Sequence, residues 1–167
     1  AASFIGGAAV ITLTQANDFT GAVSLSNSGA NNVQVTDATA LTLGILSVDG
    51  NLIVSTDGAL NLGAGSADSV TIDTVNNGEI TQTGALTLTS TFINAAGNII
   101  LDNTSNNFIM VTVTRGGNVT LAETGGFLVA GISGIGAGNI TISASGFVGA
   151  TGGITTTGSI LLQGQSN

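Results

Sequence analysis

Ten charged side chains are all that this sequence of 167 residues offers for acid–base or metal chemistry: nine acids and Arg115, with no Lys, His or Cys. The acids are Asp18, Asp37, Asp49, Asp57, Asp68, Asp73, Glu79, Asp102 and Glu123. Most stand beside Gly or Asn, where an Asp serves as a turn former because its carboxylate bonds the nearby backbone. A catalyst acting on an acidic polysaccharide needs a cationic or metal-bound cleft and a base of tuned pKa. One Arg and no His do not supply these, so the chain reads as non-enzymatic and Arg115, beside Gly116 and Gly117, as a solvated turn residue. Two acids that stacking would bring together, Asp49 and Asp68, are the candidates for calcium, a cation that takes oxygen ligands. The glycine-and-aspartate nonapeptide of calcium-binding repeats is absent.

The balance of charge excludes other partners. A net charge of −8 is the opposite of the clustered Lys and Arg that phosphate recognition requires, so nucleic acid is not the ligand. Nor is there an electrostatic pull toward anionic lipid. Mean hydropathy is +0.54, yet the charge-free region 124–167 is broken throughout by Gly, Ser, Thr and Asn, which leaves no apolar helix of spanning length. With no Trp and no Tyr, the aromatic girdles of a membrane barrel are missing as well. No membrane insertion is expected. The lack of Cys excludes disulfides and says nothing of redox compartment.

The elements that must position these groups are strands. The apolar residues are Val, Ile, Leu and Ala with six Phe, and 26 Gly are spread among Thr, Ser and Asn. β-Branched residues alternating with turn formers give many short strands. Residues 10–13, 22–25, 33–35, 41–43, 45–48, 52–54 and 60–62 alternate in this way, with Gly44 expected as a corner. Asp49-Gly50 and Asp57-Gly58 are expected as turns that use a positive φ. A short motif then recurs: Asn98-Ile99-Ile100-Leu101, Asn118-Val119-Thr120-Leu121, Asn139-Ile140-Thr141-Ile142 and Ser159-Ile160-Leu161-Leu162. Its spacing of about 20 residues is the mark of a solenoid, here of about eight rungs. Each rung's aliphatic residues would lie over those of the next, and several rungs must stack because one cannot offset its own ordering entropy. Asn32, Asn51, Asn98, Asn118 and Asn139 are expected to share one corner and form an amide ladder. The absence of Pro agrees with N–H groups claimed by neighbouring rungs.

A longer order overlies the rung. Phe4 through Phe19 is echoed by Phe92 through Phe108 at an offset of about 88 residues, and Asn32-Val33 by Asn118-Val119. Residues 78–84 match 152–158 at an offset of about 74. The chain therefore reads as one solenoid segment, 1–167, with long repeats at approximately 2–89 and 90–163. The second copy lacks about one short rung near residues 63–77. Between Ser69 and Asn98 the phase is broken, and either a loop protrudes there or residues 85–88 belong to a different face. Ala1 carries no basic n-region and neither end reads as a polar cap, so a piece of a longer tandem array is expected.

Thr pairs at 12/14, 81/83, 87/89, 112/114 and 155/157 would project to one side of their strands, the way an ice-binding solenoid presents itself. Thr is equally a good strand former. Asn103-Thr104-Ser105, Asn118-Val119-Thr120 and Asn139-Ile140-Thr141 fit the glycosylation pattern, which a chain rich in Asn and Thr also produces by chance.

Residues 80–88, then 94–103, then Asn106-Asn107-Phe108, resemble the repeats of large filamentous-haemagglutinin-like secreted proteins. Residues 17–25 with 37–44 are similar to the other half of that repeat. The resemblance covers most of the chain and implies a right-handed parallel β-helix, the shaft of a secreted or cell-surface bacterial adhesin exported by a type V route. The expected function is structural: a stiff rod that supports attachment or builds a biofilm matrix in the extracellular space. Its partners would be flanking repeats or other copies stacked end to end, and host or surface glycans. A self-assembling filament subunit is the alternative, with ice or surface binding and polysaccharide binding below it.

Overall fold

The computed structural model describes residues 1–164 and is all-β, a parallel β-solenoid of about eight turns with rungs near 20 residues. Residues 165–167, the end of the expected single segment, lie outside the described residues. Each turn visits three sheet faces in order, and every strand pair is parallel. Face I holds β1 (Ala2–Gly7), β3 (Val23–Asn27), the middle of β5 (Leu41–Thr56), and the first residues of β7 (Ala64–Thr74), β9 (Leu86–Asn94) and β11 (Asn107–Arg115). It ends with Phe127, which opens β13 (Phe127–Ile132), and Val148, which opens β15 (Val148–Ala150); the later residues of both strands continue on face II. Face II holds β2 (Ile11–Asn17), β4 (Val33–Asp37) and the later residues of β5, β7, β9, β11 and β13. Face III starts with Leu41 and Thr42 of β5, then β6 (Leu60–Leu62), β8 (Ile80–Gln82), β10 (Ile99–Leu101), β12 (Val119–Glu123), β14 (Ile140–Ala144) and β16 (Ile160–Gln163).

The alternation seen in the sequence becomes alternation between lumen and solvent, because successive strand residues point to opposite sides. Leu41, Leu60, Ile80, Ile99, Val119 and Ile140 form one buried column on face III, and Val35, Val54, Ile72, Ile93, Val113 and Ile132 another on face II. Like residues stack on like, so the lumen is a continuous aliphatic core in which Phe108 and Phe127 meet edge to face. Burying each Val, Leu or Ile contributes about 1.5–3 kcal/mol, set against about 1–2 kcal/mol of backbone ordering per residue.

Two expectations change, and of two alternatives left open for residues 69–98 the second holds. Residues 41–48 do not break at Gly44; they run within β5, and Gly44 sits at a bulge where the Ser24 hydroxyl accepts the Ile45 N–H. Gly50 carries no positive φ, unlike Gly58 at +152°. Gly50 is needed instead for close approach, since a Cβ there would lie 2.3 Å from the Asn31 carbonyl oxygen. And no loop protrudes between Ser69 and Asn98. Ser69 pairs with Ser90 on face II, residues 86–88 lie on face I, and Asn98 leads into face III, so the interval is one turn plus one face.

Candidate functional site

The polar side chains that the turns bring together form stacks along the axis. The expected asparagine ladder is two ladders on different corners. Ahead of face III the Asn98 Oδ1 accepts the Asn118 N–H at 2.9 Å, the Asn118 Oδ1 accepts the Asn139 N–H at 2.8 Å, and the Asn139 Oδ1 accepts the Ser159 N–H at 2.9 Å. Asn32 and Asn51 lie ahead of face II, where the Asn32 Oδ1 accepts the Asn51 N–H at 3.3 Å and the Ser69 hydroxyl reaches the Asn51 Oδ1 at 2.6 Å. Asn32 and Asn118 thus match in sequence while lying on different faces, because an offset of about 88 residues is four turns and one face. Two of the three glycosylation-like asparagines, Asn118 and Asn139, have their side-chain oxygens engaged in this stack.

Arg115 is not a turn residue. It ends β11, and its guanidinium reaches back across two turns: Nε donates to the Asn94 Oδ1 at 2.9 Å and Nη2 to the Thr74 carbonyl at 2.8 Å. The Asp73 carboxylate lies 3.9 Å from Nη2 and accepts the Asn94 Nδ2 at 3.0 Å. Cation, amide and anion stand in register on three successive turns, a tie along the axis of a half-exposed kind worth at most about 1 kcal/mol per bond. The signal was present in the sequence as three polar residues near one rung phase at strand ends.

A buried network lies at the corner between faces III and I. Asn106 donates to the Gln82 Oε1 at 2.9 Å and to the Ala122 carbonyl at 3.0 Å, and its Oδ1 accepts the Leu86 N–H at 2.9 Å and the Gln82 Nε2 at 2.8 Å. One turn on, Glu123 is 3 % exposed and its Oε2 accepts the Phe108 N–H at 3.2 Å. Burial holds this carboxyl above its ordinary value, against the pull of the Phe108 and Gly125 amides toward the ionised form. Glu123 also lines a cleft of about 350 Å³ together with Thr104, Thr124, Ser143, Ser145 and Gln163. The Glu123 Oε1 is sealed from solvent and makes no well-formed hydrogen bond. The other buried acid, Asp37, is committed to the Phe19 and Thr39 amides and the Thr39 hydroxyl at 2.8–2.9 Å, which is turn chemistry.

Asp49 and Asp68 sit on adjacent turns at the corner between faces I and II, where the Asp49 Oδ2 accepts the Gly29 N–H at 3.1 Å. Two carboxylates do not complete the oxygen shell of calcium. Among the described residues no group of three or more acid, His or Cys side chains forms around a common point. The Thr pairs also fall on separate faces: Thr81 on face III, Thr87 on face I and Thr112 on face II. The outward row of face II reads Thr12, Gln34, Ile53, Thr71, Phe92 and Thr112, which is not a threonine lattice.

Among the described residues the arrangement ties polar side chains to one another from turn to turn. What it does present is three long sheet faces whose shape repeats every turn. One family profile, described as repeats of unknown function (DUF5649), matches residues 1–26, 30–60 and 50–115. No curated protein and no solved structure matches the chain.

Proposed function

The chain belongs to that family of repeats, and from this premise we propose that it is a structural shaft, a stiff segment of a secreted or cell-surface bacterial adhesin or extracellular fibre that supports attachment or a biofilm matrix. The observation that carries the reading is the unbroken ladder of parallel pairing from β1 to β16 over one aliphatic lumen, with its polar groups spent on ties between turns. Strands spaced about 4.8 Å apart make eight turns a rod of about 38 Å. Backbone hydrogen bonds along the axis resist bending and extension, so the role is mechanical, and binding belongs to whatever such a rod holds away from the cell. Repeats of this kind specify shape, and stability grows by neighbour-to-neighbour contact.

The test is made in the producing cell. Deleting the segment in frame from its full protein should reduce surface attachment, and replacing it with an unrelated solenoid of equal length should restore it. Loss of attachment that the substitute fails to rescue would mean that this chain's own residues, not its length, do the work.

A further inference from the structure

Asn77, before Gly78, is the only Asn of the sequence that precedes a glycine. An amide so placed carries its own chemistry, because the backbone nitrogen of the next residue can attack the side-chain Cγ. Glycine leaves that nitrogen without a Cβ to shield it, which makes the pair the most labile setting for an asparagine. The pair lies in the turn that takes the chain from β7 on face II to β8 on face III. Asn76 and Asn77 hold φ of +50° and +59°, and the Gly78 N–H donates to the Val75 carbonyl at 2.9 Å. This is a tight turn with both central residues left-handed, a conformation L-residues rarely hold. Among the described residues no other residue except glycine has a positive φ. Asn77 is exposed, while Gly78 is buried.

The coil holds the Gly78 peptide on every side. Its carbonyl accepts the Thr74 hydroxyl at 2.8 Å and the Gly97 N–H of the next turn at 3.0 Å. A Cβ at Gly78 would lie 2.3 Å from the Gly58 carbonyl oxygen of the turn before, so there is no slack in the stack. Asn76 is tied to the same preceding turn, where its Nδ2 donates to the Asp57 carboxylate. Attack requires the reverse: the Gly78 nitrogen must leave Val75, lose its proton and turn toward the Asn77 Cγ. An N–H committed in this way becomes available only when the segment opens locally.

We propose that Asn77 is a self-modification site whose reactivity is set by the opening of this turn, an ageing point built into the coil. In the open turn the Gly78 nitrogen bonds to the Asn77 Cγ and the Cγ–Nδ2 bond breaks. The leaving nitrogen departs as ammonia, its third hydrogen replacing the proton lost from Gly78, and a five-membered succinimide remains. Water then opens the ring. Addition at the side-chain carbonyl gives aspartate at position 77, and addition at the backbone carbonyl gives isoaspartate, whose main chain runs through Cβ and Cγ. Water is the one co-reactant. Both products oppose reclosure. Aspartate sets a new carboxylate at a corner that already carries Asp57 and is followed by Glu79, and like charges repel. Isoaspartate adds one atom to a main chain whose ends are fixed in register, Thr74 against Thr56 and Ile80 against Leu60. The inference stands on this turn alone and is independent of the shaft reading.

Peptide mapping by mass spectrometry, with isoaspartate separated by chromatography, tests it on the whole chain kept at mildly alkaline pH, folded and in urea. Asn77 should convert before any other Asn, and in the folded chain at least about tenfold more slowly than in the unfolded one. Thr74→Val, which removes one hold on Gly78, should narrow that gap. Asp57→Ala, at an exposed position, frees Asn76 and covers the case in which Thr74→Val does not fold, as circular dichroism will show. Asn77→Gly keeps the left-handed turn without the reactive amide, so the aged parent should lose Tm while aged Asn77→Gly does not. Equal rates in the folded and unfolded chains, earlier conversion at another Asn, folded-state rates unmoved by the loosening variants, or equal loss of Tm on ageing would each overturn the proposal. None of these outcomes touches the attachment experiment above.

Discussion

Thr91 and Thr74 point into the lumen from face II, and one substitution made at both should move stability in opposite directions. Thr91 is 1 % exposed, stacked between Val70 and Val111, and its hydroxyl has no hydrogen-bond partner. Thr74 is equally buried, but its hydroxyl donates to the Gly78 carbonyl at 2.8 Å and accepts the Ala96 N–H at 3.2 Å. Valine replaces hydroxyl by methyl at nearly constant size. At position 91 this removes an unpaired buried hydroxyl, whose desolvation costs about 1–3 kcal/mol, and extends an aliphatic column. Thr91→Val should stabilise by roughly 1–2 kcal/mol, which for a chain of this size raises Tm by about 2–4 °C per kcal/mol. At position 74 it strands a carbonyl and an N–H inside the coil, and Thr74→Val should destabilise by about 2–4 kcal/mol. Urea unfolding followed by circular dichroism reads both, with slopes compared to confirm that the variants unfold as the parent does. Shifts of the same sign, or a loss of stability in Thr91→Val, would refute the reasoning that hydrogen-bond state and not residue type governs these positions.

Glu123 gives a pH test with a fixed sign. Its folded-state pKa is raised above the ordinary 4.5 by burial, so its contribution is fully present below that value and is lost as pH rises through the folded pKa. Glu123→Gln should therefore gain on the parent as pH climbs from about 4 toward 7, and parallel curves of Tm against pH would contradict this. Gly63 has its missing Cβ 1.6 Å from the Gly44 carbonyl oxygen of the turn before, so Gly63→Ala must push two turns apart and should cost more than about 3 kcal/mol by thermal unfolding. Asn106→Ala removes four well-formed side-chain bonds from a sealed corner and should cost about 3 kcal/mol or more, whereas Asn118→Ala on the exposed ladder should cost about 1 kcal/mol or less. Equal losses at the two asparagines would show that burial does not set the difference.

The coil itself was legible because its cause is periodic. Asn98, Asn118, Asn139 and Ser159 recur at nearly one spacing, and the structure stacks them on one corner. What was not legible was which face a strand occupies, since all three faces use the same aliphatic alternation. Leu52-Ile53-Val54 and Ile140-Thr141-Ile142 read alike and lie on faces II and III. The polar interior was missed for a different reason. Asn106 and Glu123 look like loop residues next to Asn107 and Thr124, and only the stacking of Leu86 and Phe108 beside them turns their side chains inward. The Arg115 tie left only a faint trace, polar residues near one rung phase, because its partners Asn94 and Thr74 lie one and two turns back.

The long repeat carries the same point further. An offset of about 88 residues is about four and a third turns, so it advances every matched residue by one face: Ile11 on face II answers to Ile99 on face III. The offset of about 74 residues is about three and two thirds turns and moves Ile80 of face III onto Ile154, which pairs with Ile132 of face II. A motif that held a ligand would have to return to the same face to keep its neighbours. These motifs return rotated, and the lumen accepts them because Val, Ile and Leu fit any of its three walls. What the repeat preserves is the packing unit itself, and that is the kind of repetition a shaft needs.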